Sequence, residues 1–102
     1  MSRTMKAVLA HAPGDYRLQD VEVPTPSPGE MLVRVAASGI CAGDIKAFHG
    51  GIRIWGTSEA DRYIDAPVTG GHEFAGEVVE LGEGVDAFAV GDRVVTEQIL
   101  PC

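Results

Sequence analysis

"GGHEFAGEVVELGEGV", residues 70–85, sets a histidine and a glutamate side by side just ahead of a run that reads as a strand with a glycine, Gly76, inside it. Two polar side chains at the mouth of an apolar sheet segment need a reason. Facing a pocket, they can bind a metal or move a proton; at a strand end they can simply sit in water. Neighbours in an extended segment point to opposite faces, so both reach one site only at a bend or a strand start. Gly70 and Gly71 supply the backbone freedom for such a bend. Gly76 should weaken the strand unless something approaches its backbone closely.

Working outward, thirteen glycines and six prolines punctuate short β-branched runs, the mark of a mainly β domain. "MKAVLAH" and "YRLQDVEVP", joined by "APGD", predict an antiparallel hairpin. "PTPSPGE" cannot sustain a ladder and reads as a connection. "EMLVRVAASGI" is a strand with Leu32, Arg34 and Ala36 on one face and Met31, Val33 and Val35 on the other. Its largely apolar faces predict a central position. "CAGDIKAFHG" suits one short helix ended by the pair Gly50–Gly51. From Gly51 to Thr69 the chain reads as a long surface excursion, and a tight "VGDR" turn leads to a last strand. Within the excursion, Trp55 either lines a pocket or packs the loop. His11 reads as a surface residue in a turn.

The bulk properties narrow the function. A chain of 102 residues makes one small domain, too short to hold an ordinary nucleotide-binding domain beside a catalytic one. Fifteen acids against eight bases give a formal charge of −7 with no basic run, which argues against a nucleic-acid partner. No apolar run reaches the length of a membrane span, and "MSRTMKAVLAHAPGDY" lacks the apolar core of a signal peptide. A cytoplasmic protein is expected, in which Cys41 and Cys102 are thiols or metal ligands rather than a disulfide. The chain stops at "ILPC", directly after an apolar strand, so an interrupted chain is expected.

The candidate chemistry lies at two strand ends. Cys41 stands two residues after a glycine in "ASGICAGD", and His72 directly follows Gly71. If the two ends converge, a thiolate and an imidazole make a partial site of the kind zinc prefers, with Glu73 as a third donor or nearby carboxylate. Asp44, one short turn past Cys41, is placed to accept from the other ring nitrogen of His72 and fix its tautomer. A buried cysteine and a surface histidine remain the alternative. Ala75 and Gly76 stand where H-E-x-x-H needs its second histidine, which excludes a zincin protease.

The opening stretch resembles the signature of the zinc-containing alcohol dehydrogenases of the medium-chain dehydrogenase/reductase family. That signature runs Gly-His-Glu, two residues, glycine, five residues, a small residue, two more, then a small or β-branched one. Gly71, His72, Glu73, Gly76, Gly82 and Val85 fill every fixed place. "SGICAGDIKAFHGG" resembles the family's catalytic-cysteine segment, "VGDRV" its later turn and "EQILPC" the start of its structural-zinc lobe. "CAGDIKAFHG", Trp55-Gly56 and "TEQILPC" are most similar to the polyol branch, that of the erythritol/threitol dehydrogenases.

The resemblance implies that residues 1–102 form a GroES-like, partly open β-barrel with a short helix, the N-terminal portion of a catalytic domain whose Rossmann partner is absent. It implies Cys41, His72 and Glu73 at a catalytic zinc, Asp44 behind them, and Cys102 as first ligand of a structural zinc. It implies an NAD- or NADP-dependent oxidoreductase acting on a small-molecule alcohol or polyol and assembling as a homo-oligomer. Two positions depart from the family's pattern. Gly43 stands where a Ser or Thr usually opens the proton relay, and Lys46 stands where many members carry a histidine; His49 lies three places later. No G-x-G-x-x-G follows a strand and opens a helix, so this chain alone is expected to be inactive. The alternatives are a stand-alone GroES-like binding module without catalysis, and a zinc-independent relative of the quinone-reductase type. Cys41 and the Gly71-His72-Glu73 run argue against the latter.

Overall fold

A computed structural model describes residues 3–97. They divide into two compact units, one holding the residues up to Val23 with Ile40–Gly71, the other Pro24–Gly39 with the residues from His72 onward. Each unit is built on a three-stranded antiparallel sheet. Among the described residues no helix is long and apolar enough to cross a membrane.

The first unit opens with the expected hairpin, β1 (Thr4–Ala12) against β2 (Asp15–Glu22). Pro13 fixes the first corner of its turn and Gly14, at φ 71°, takes the left-handed conformation the second corner needs. A register shift between Ala10 and Ala12 displaces His11 from the ladder. His11 is therefore a strand residue, not a turn residue, and its Nε2 lies 2.6 Å from the Gln19 side-chain oxygen. On the far edge of β1 sits β4 (Val68–Thr69), giving the order β2-β1-β4.

Helix α1 (Ala42–Phe48) follows Cys41 as expected, and Gly50 at φ 88° leaves the helical path. The excursion beyond it is more ordered than its sequence implies. It holds a second short helix, α2 (Ile52–Trp55), a 3-10 turn at Glu59–Asp61, and β4 itself. Periodicity could not disclose elements this short, which contain barely one helical turn. The 3-10 turn is secured by Asp61, whose carboxylate accepts from the Thr57 N–H at 3.0 Å, the Thr57 hydroxyl at 2.8 Å and the Ser58 N–H at 2.8 Å.

The second unit orders its strands β3-β5-β6, with β3 at Met31–Ser38, β5 at Phe74–Leu81 and β6 at Arg93–Val95. The central strand of this sheet is β5, and β3 flanks it, contrary to the sequence expectation. The reason is visible in the register. Shifts between Leu32 and Val33 and between Val35 and Ala37 break the simple alternation, and Arg34 onward is exposed. The apolar residues of β3 predict two buried faces, but the shifts break their alternation and only Met31, Leu32 and Val33 are part-buried. Val78 of β5 is fully buried.

Gly76 explains itself here. A Cβ at that position would collide with the backbone oxygen of Arg34 and lie 2.7 Å from Val33 Cγ1. Gly82 is held in the same way: its N–H donates to the Glu30 carbonyl at 2.7 Å, and a Cβ would strike the Ser27 carbonyl. The expected "VGDR" turn is present, with Gly91 at φ 99° and the Gly91 N–H donating to Val78 at 2.8 Å.

Gly76→Ala should therefore destabilise the chain by about 2–3 kcal/mol, the scale of a forced overpacking, read as a lower urea midpoint. A change within about 0.5 kcal/mol, typical of an unconstrained surface position, would show that β3 does not approach so closely. At the 3-10 turn, the backbone bonds from Thr57 and Ser58, then the Thr57 hydroxyl, lower the Asp61 pKa from 3.8 to about 2. A depressed carboxylate stabilises the fold fully above its unfolded value and loses that contribution as pH falls through the folded one. The Thr57 and Ser58 amide resonances should hold their shifts to below pH 3.8 and titrate near pH 2, a step that Asp61→Asn removes.

Candidate metal centre

The bend ahead of β5 is real. Gly71 adopts φ 102°, a left-handed conformation that side-chain-bearing residues rarely take, and β5 begins at Phe74, two residues past His72. His72 and Glu73 thus stand outside the regular strand, free of the alternation that would send them to opposite faces. Their side chains meet: His72 Nε2 lies 4.0 Å from Glu73 Oε1, with both side chains about one-third exposed at 39% and 34%. At a tetrahedral zinc with bonds of about 2.1 Å, two ligand atoms stand about 3.4 Å apart, so a closure of about half an ångström would let this imidazole and carboxylate share the ion.

The backbone of Glu73 extends the β3–β5 ladder by one step. Beyond the Ser38–Phe74 pair, the Gly39 N–H donates to the Glu73 carbonyl at 2.6 Å. A Cβ at Gly39 would sit 3.1 Å from Glu73 Oε2, so glycine leaves the carboxylate its place. Gly39 is a site-shaping residue that sequence reasoning passed over, although the glycine before the cysteine in "ASGIC" was its signal. Cys41 is two residues further along the chain. Covalent geometry alone keeps its Cα within about 7.6 Å of the Gly39 Cα, since consecutive Cα atoms are 3.8 Å apart.

Cys41 is a free, half-buried thiol and the N-cap of α1. Its Sγ accepts from the Gly43 N–H at 3.4 Å, and the Asp44 carboxylate reaches back to accept from the Cys41 N–H at 2.9 Å. This reciprocal arrangement is a capping box with sulfur in place of the usual hydroxyl. Asp44 thereby fixes the backbone on which the thiol is carried. Its negative charge is also felt at Tyr16, whose hydroxyl pKa is raised first by burial and then by Asp44.

His49 closes the other end of the helix as its C-cap, with its ring edge-on to Phe48 at 5.4 Å between centroids. Eight residues of helical rise place it about 12 Å along the axis from Cys41, so His49 does not stand in for the histidine missing at Lys46. Trp55 packs rather than lines an opening: it is buried, and its indole N–H donates to the Ala47 carbonyl at 2.7 Å. Cys102, the expected structural ligand, lies outside the described residues. A groove of about 610 Å³ on the β3-β5-β6 sheet, bordered by Val35, Ala75, Glu77 and Val95, includes neither His72 nor Glu73.

Comparison with known proteins places the fold. Residues 27–102 match the family described as the alcohol dehydrogenase GroES-like domain. The erythritol/L-threitol dehydrogenase of Mycolicibacterium smegmatis is 50% identical over 101 residues, which is 96% of this chain and 28% of that protein. The crystal structure of 2R,3R-butanediol dehydrogenase from Bacillus subtilis superposes with a TM-score of 0.76 at 44% identity, covering 88% of this chain and 26% of that one. The structure of a thermostable alcohol dehydrogenase from Pyrobaculum aerophilum does so at 0.77 and 34% identity, covering 91% and 26%. The chain spans about a quarter of the length of the relatives it matches.

Removing the Asp44 carboxylate tests the cap. Asp44→Ala should cost about 1 kcal/mol, the usual loss at a helix N-terminus, while Asp44→Asn, which keeps a carbonyl acceptor, should cost less. Thermal unfolding followed by circular dichroism reads both; equal losses would mean that charge rather than the cap bond is what matters.

Proposed function

The chain belongs to the family of alcohol dehydrogenase GroES-like domains, and from that membership we propose that residues 1–102 are the N-terminal, zinc-holding domain of an NAD- or NADP-dependent alcohol or polyol dehydrogenase. Cys41, His72 and Glu73 hold the catalytic zinc, Asp44 orients the imidazole from behind, and Cys102 begins a structural zinc site. The observation that carries the reading is the convergence of His72 and Glu73, 4.0 Å apart at the bend before β5. A thiolate, an imidazole and a carboxylate form a donor set suited to zinc.

Bound there, zinc would polarise an alcohol oxygen and lower its proton affinity, so that hydride can pass to a nicotinamide. The chain's own residues do the positioning. Gly71 turns His72 and Glu73 out of the strand, the Gly39–Glu73 bond fixes the carboxylate's backbone, and the cap with Asp44 fixes the cysteine's. Gly43 and Lys46 offer no family-type relay, so the proton leaves by water or by a neighbouring hydroxyl of the substrate, a route that suits a polyol. Nicotinamide binding belongs to polypeptide beyond these residues, in a cytoplasmic homo-oligomer. The substrate class follows the resemblance to the polyol branch and the 50% identity to an erythritol/L-threitol dehydrogenase.

Zinc titration calorimetry tests the ligands. The chain should bind zinc weakly, and Cys41→Ser or His72→Ala should abolish binding. Metal must displace the thiol proton, so affinity should fall as pH falls. No alcohol-dependent rise in NADH absorbance is expected from these 102 residues alone. Zinc uptake unaffected by either substitution would remove Cys41 and His72 from the site and leave a binding module as the better reading.

A further inference from the structure

Helix α1 has few anchors. Its seven residues, Ala42–Phe48, include none that is buried, and a helix this short is not stable without tertiary support. At its N-terminus stands Cys41. At its C-terminal end three ties are visible. The Gly14 N–H from the β1–β2 turn donates to the Phe48 carbonyl at 2.8 Å, and Phe48 packs edge-on against Tyr16 with centroids 5.0 Å apart. The third tie is the Trp55 indole N–H, which reaches the Ala47 carbonyl at 2.7 Å.

Trp55 is the firmest of these. It is 3% exposed, and the Arg62 guanidinium lies over its ring, 5.1 Å from the centroid. Arg62 Nε is buried with no hydrogen-bond partner among the described residues, so that cation is kept against the ring at the expense of a hydrogen bond. The backbone returns to the same point: the Gly51 N–H donates to the Lys46 carbonyl at 2.8 Å. The indole thus sits wedged between the last turn of α1 and Arg62, with its one polar atom spent on the helix.

We propose that Trp55 is a positioning residue for the Cys41 thiolate, acting along α1 through its bond to Ala47; the role rests on the zinc site proposed above. A helix of seven residues is a strut about 10 Å long. Its tilt at the Ala47 end sets where the capped cysteine stands at the other. Ligand geometry is sensitive to such support, and residues outside the ligand set commonly alter metal affinity 10- to 100-fold.

The test uses cobalt(II) in place of zinc, because a thiolate ligand gives a charge-transfer absorption that reports the sulfur directly. The wild-type chain should show that band, and Cys41→Ser should lose it. Trp55→Phe keeps an aromatic ring beneath Arg62 and removes the N–H; it should bind cobalt about tenfold more weakly with an altered band. A second measurement needs no variant. Trp55 is the sole tryptophan in the sequence, so its indole N–H resonance is unambiguous, and by reciprocity of coupling its hydrogen exchange should slow when zinc is added. A wild-type chain without cobalt binding would overturn the zinc site and this role with it. Normal wild-type binding, matched by Trp55→Phe in affinity and band, or an indole exchange rate indifferent to zinc, would overturn the positioning role alone.

Discussion

The pairing of β3 with β5 is the constraint on which the second unit depends. It brings two backbones so close at Gly76 that no side chain fits, and it runs one step past the regular strands to the Gly39–Glu73 bond. That last step matters most for chemistry. A ladder bond fixes the carbonyl of Glu73, and Gly71 has already turned the chain so that the neighbouring side chains converge. The two polar residues at the mouth of an apolar strand are there because the strand has not yet begun.

Glycines divide into those the fold demands and those it does not. Gly76 and Gly82 are enforced by carbonyl oxygens of neighbouring backbone, and Gly14, Gly71 and Gly91 by left-handed torsions. These are separate physical causes, close approach and sterics, yet both appear in the sequence as one letter. The dehydrogenase signature mixes them: Gly71 is a bend, Gly76 a contact between strands, and Gly82 a contact with the Ser27–Glu30 turn.

Much of this was legible in the chain. The hairpin around Pro13-Gly14, the strand after Glu73, the helix after Cys41 and the tight turn at Gly91 all follow from local rules of turn and cap chemistry, which act within a few residues. What failed was what those rules do not reach. The flanking place of β3 was hidden because two register shifts undo the alternation on which a face assignment rests. Helix α2 and the 3-10 turn were hidden because a single turn carries no period. Trp55 was ambiguous because its partners, Ala47 and Arg62, lie on either side of it in sequence and only the folded chain names them. For the site, the residue types pointed to metal chemistry. The bend at Gly71 follows from its glycine, but the 4.0 Å approach of His72 and Glu73 exists only in the folded chain.

Gly43 belongs to the second class of glycine. It lies in the first turn of α1 with ordinary helical torsions, and within its own unit a Cβ there would meet only Cys41 Sγ, at 3.8 Å, an ordinary contact. Nothing in the local backbone calls for glycine. Its N–H does the structural work by donating to the sulfur, and any residue but proline could supply that. The effect of glycine at this position is thus on the space beside the thiol rather than on the helix. Where a serine or threonine would carry its own hydroxyl next to the sulfur, this chain leaves that volume open.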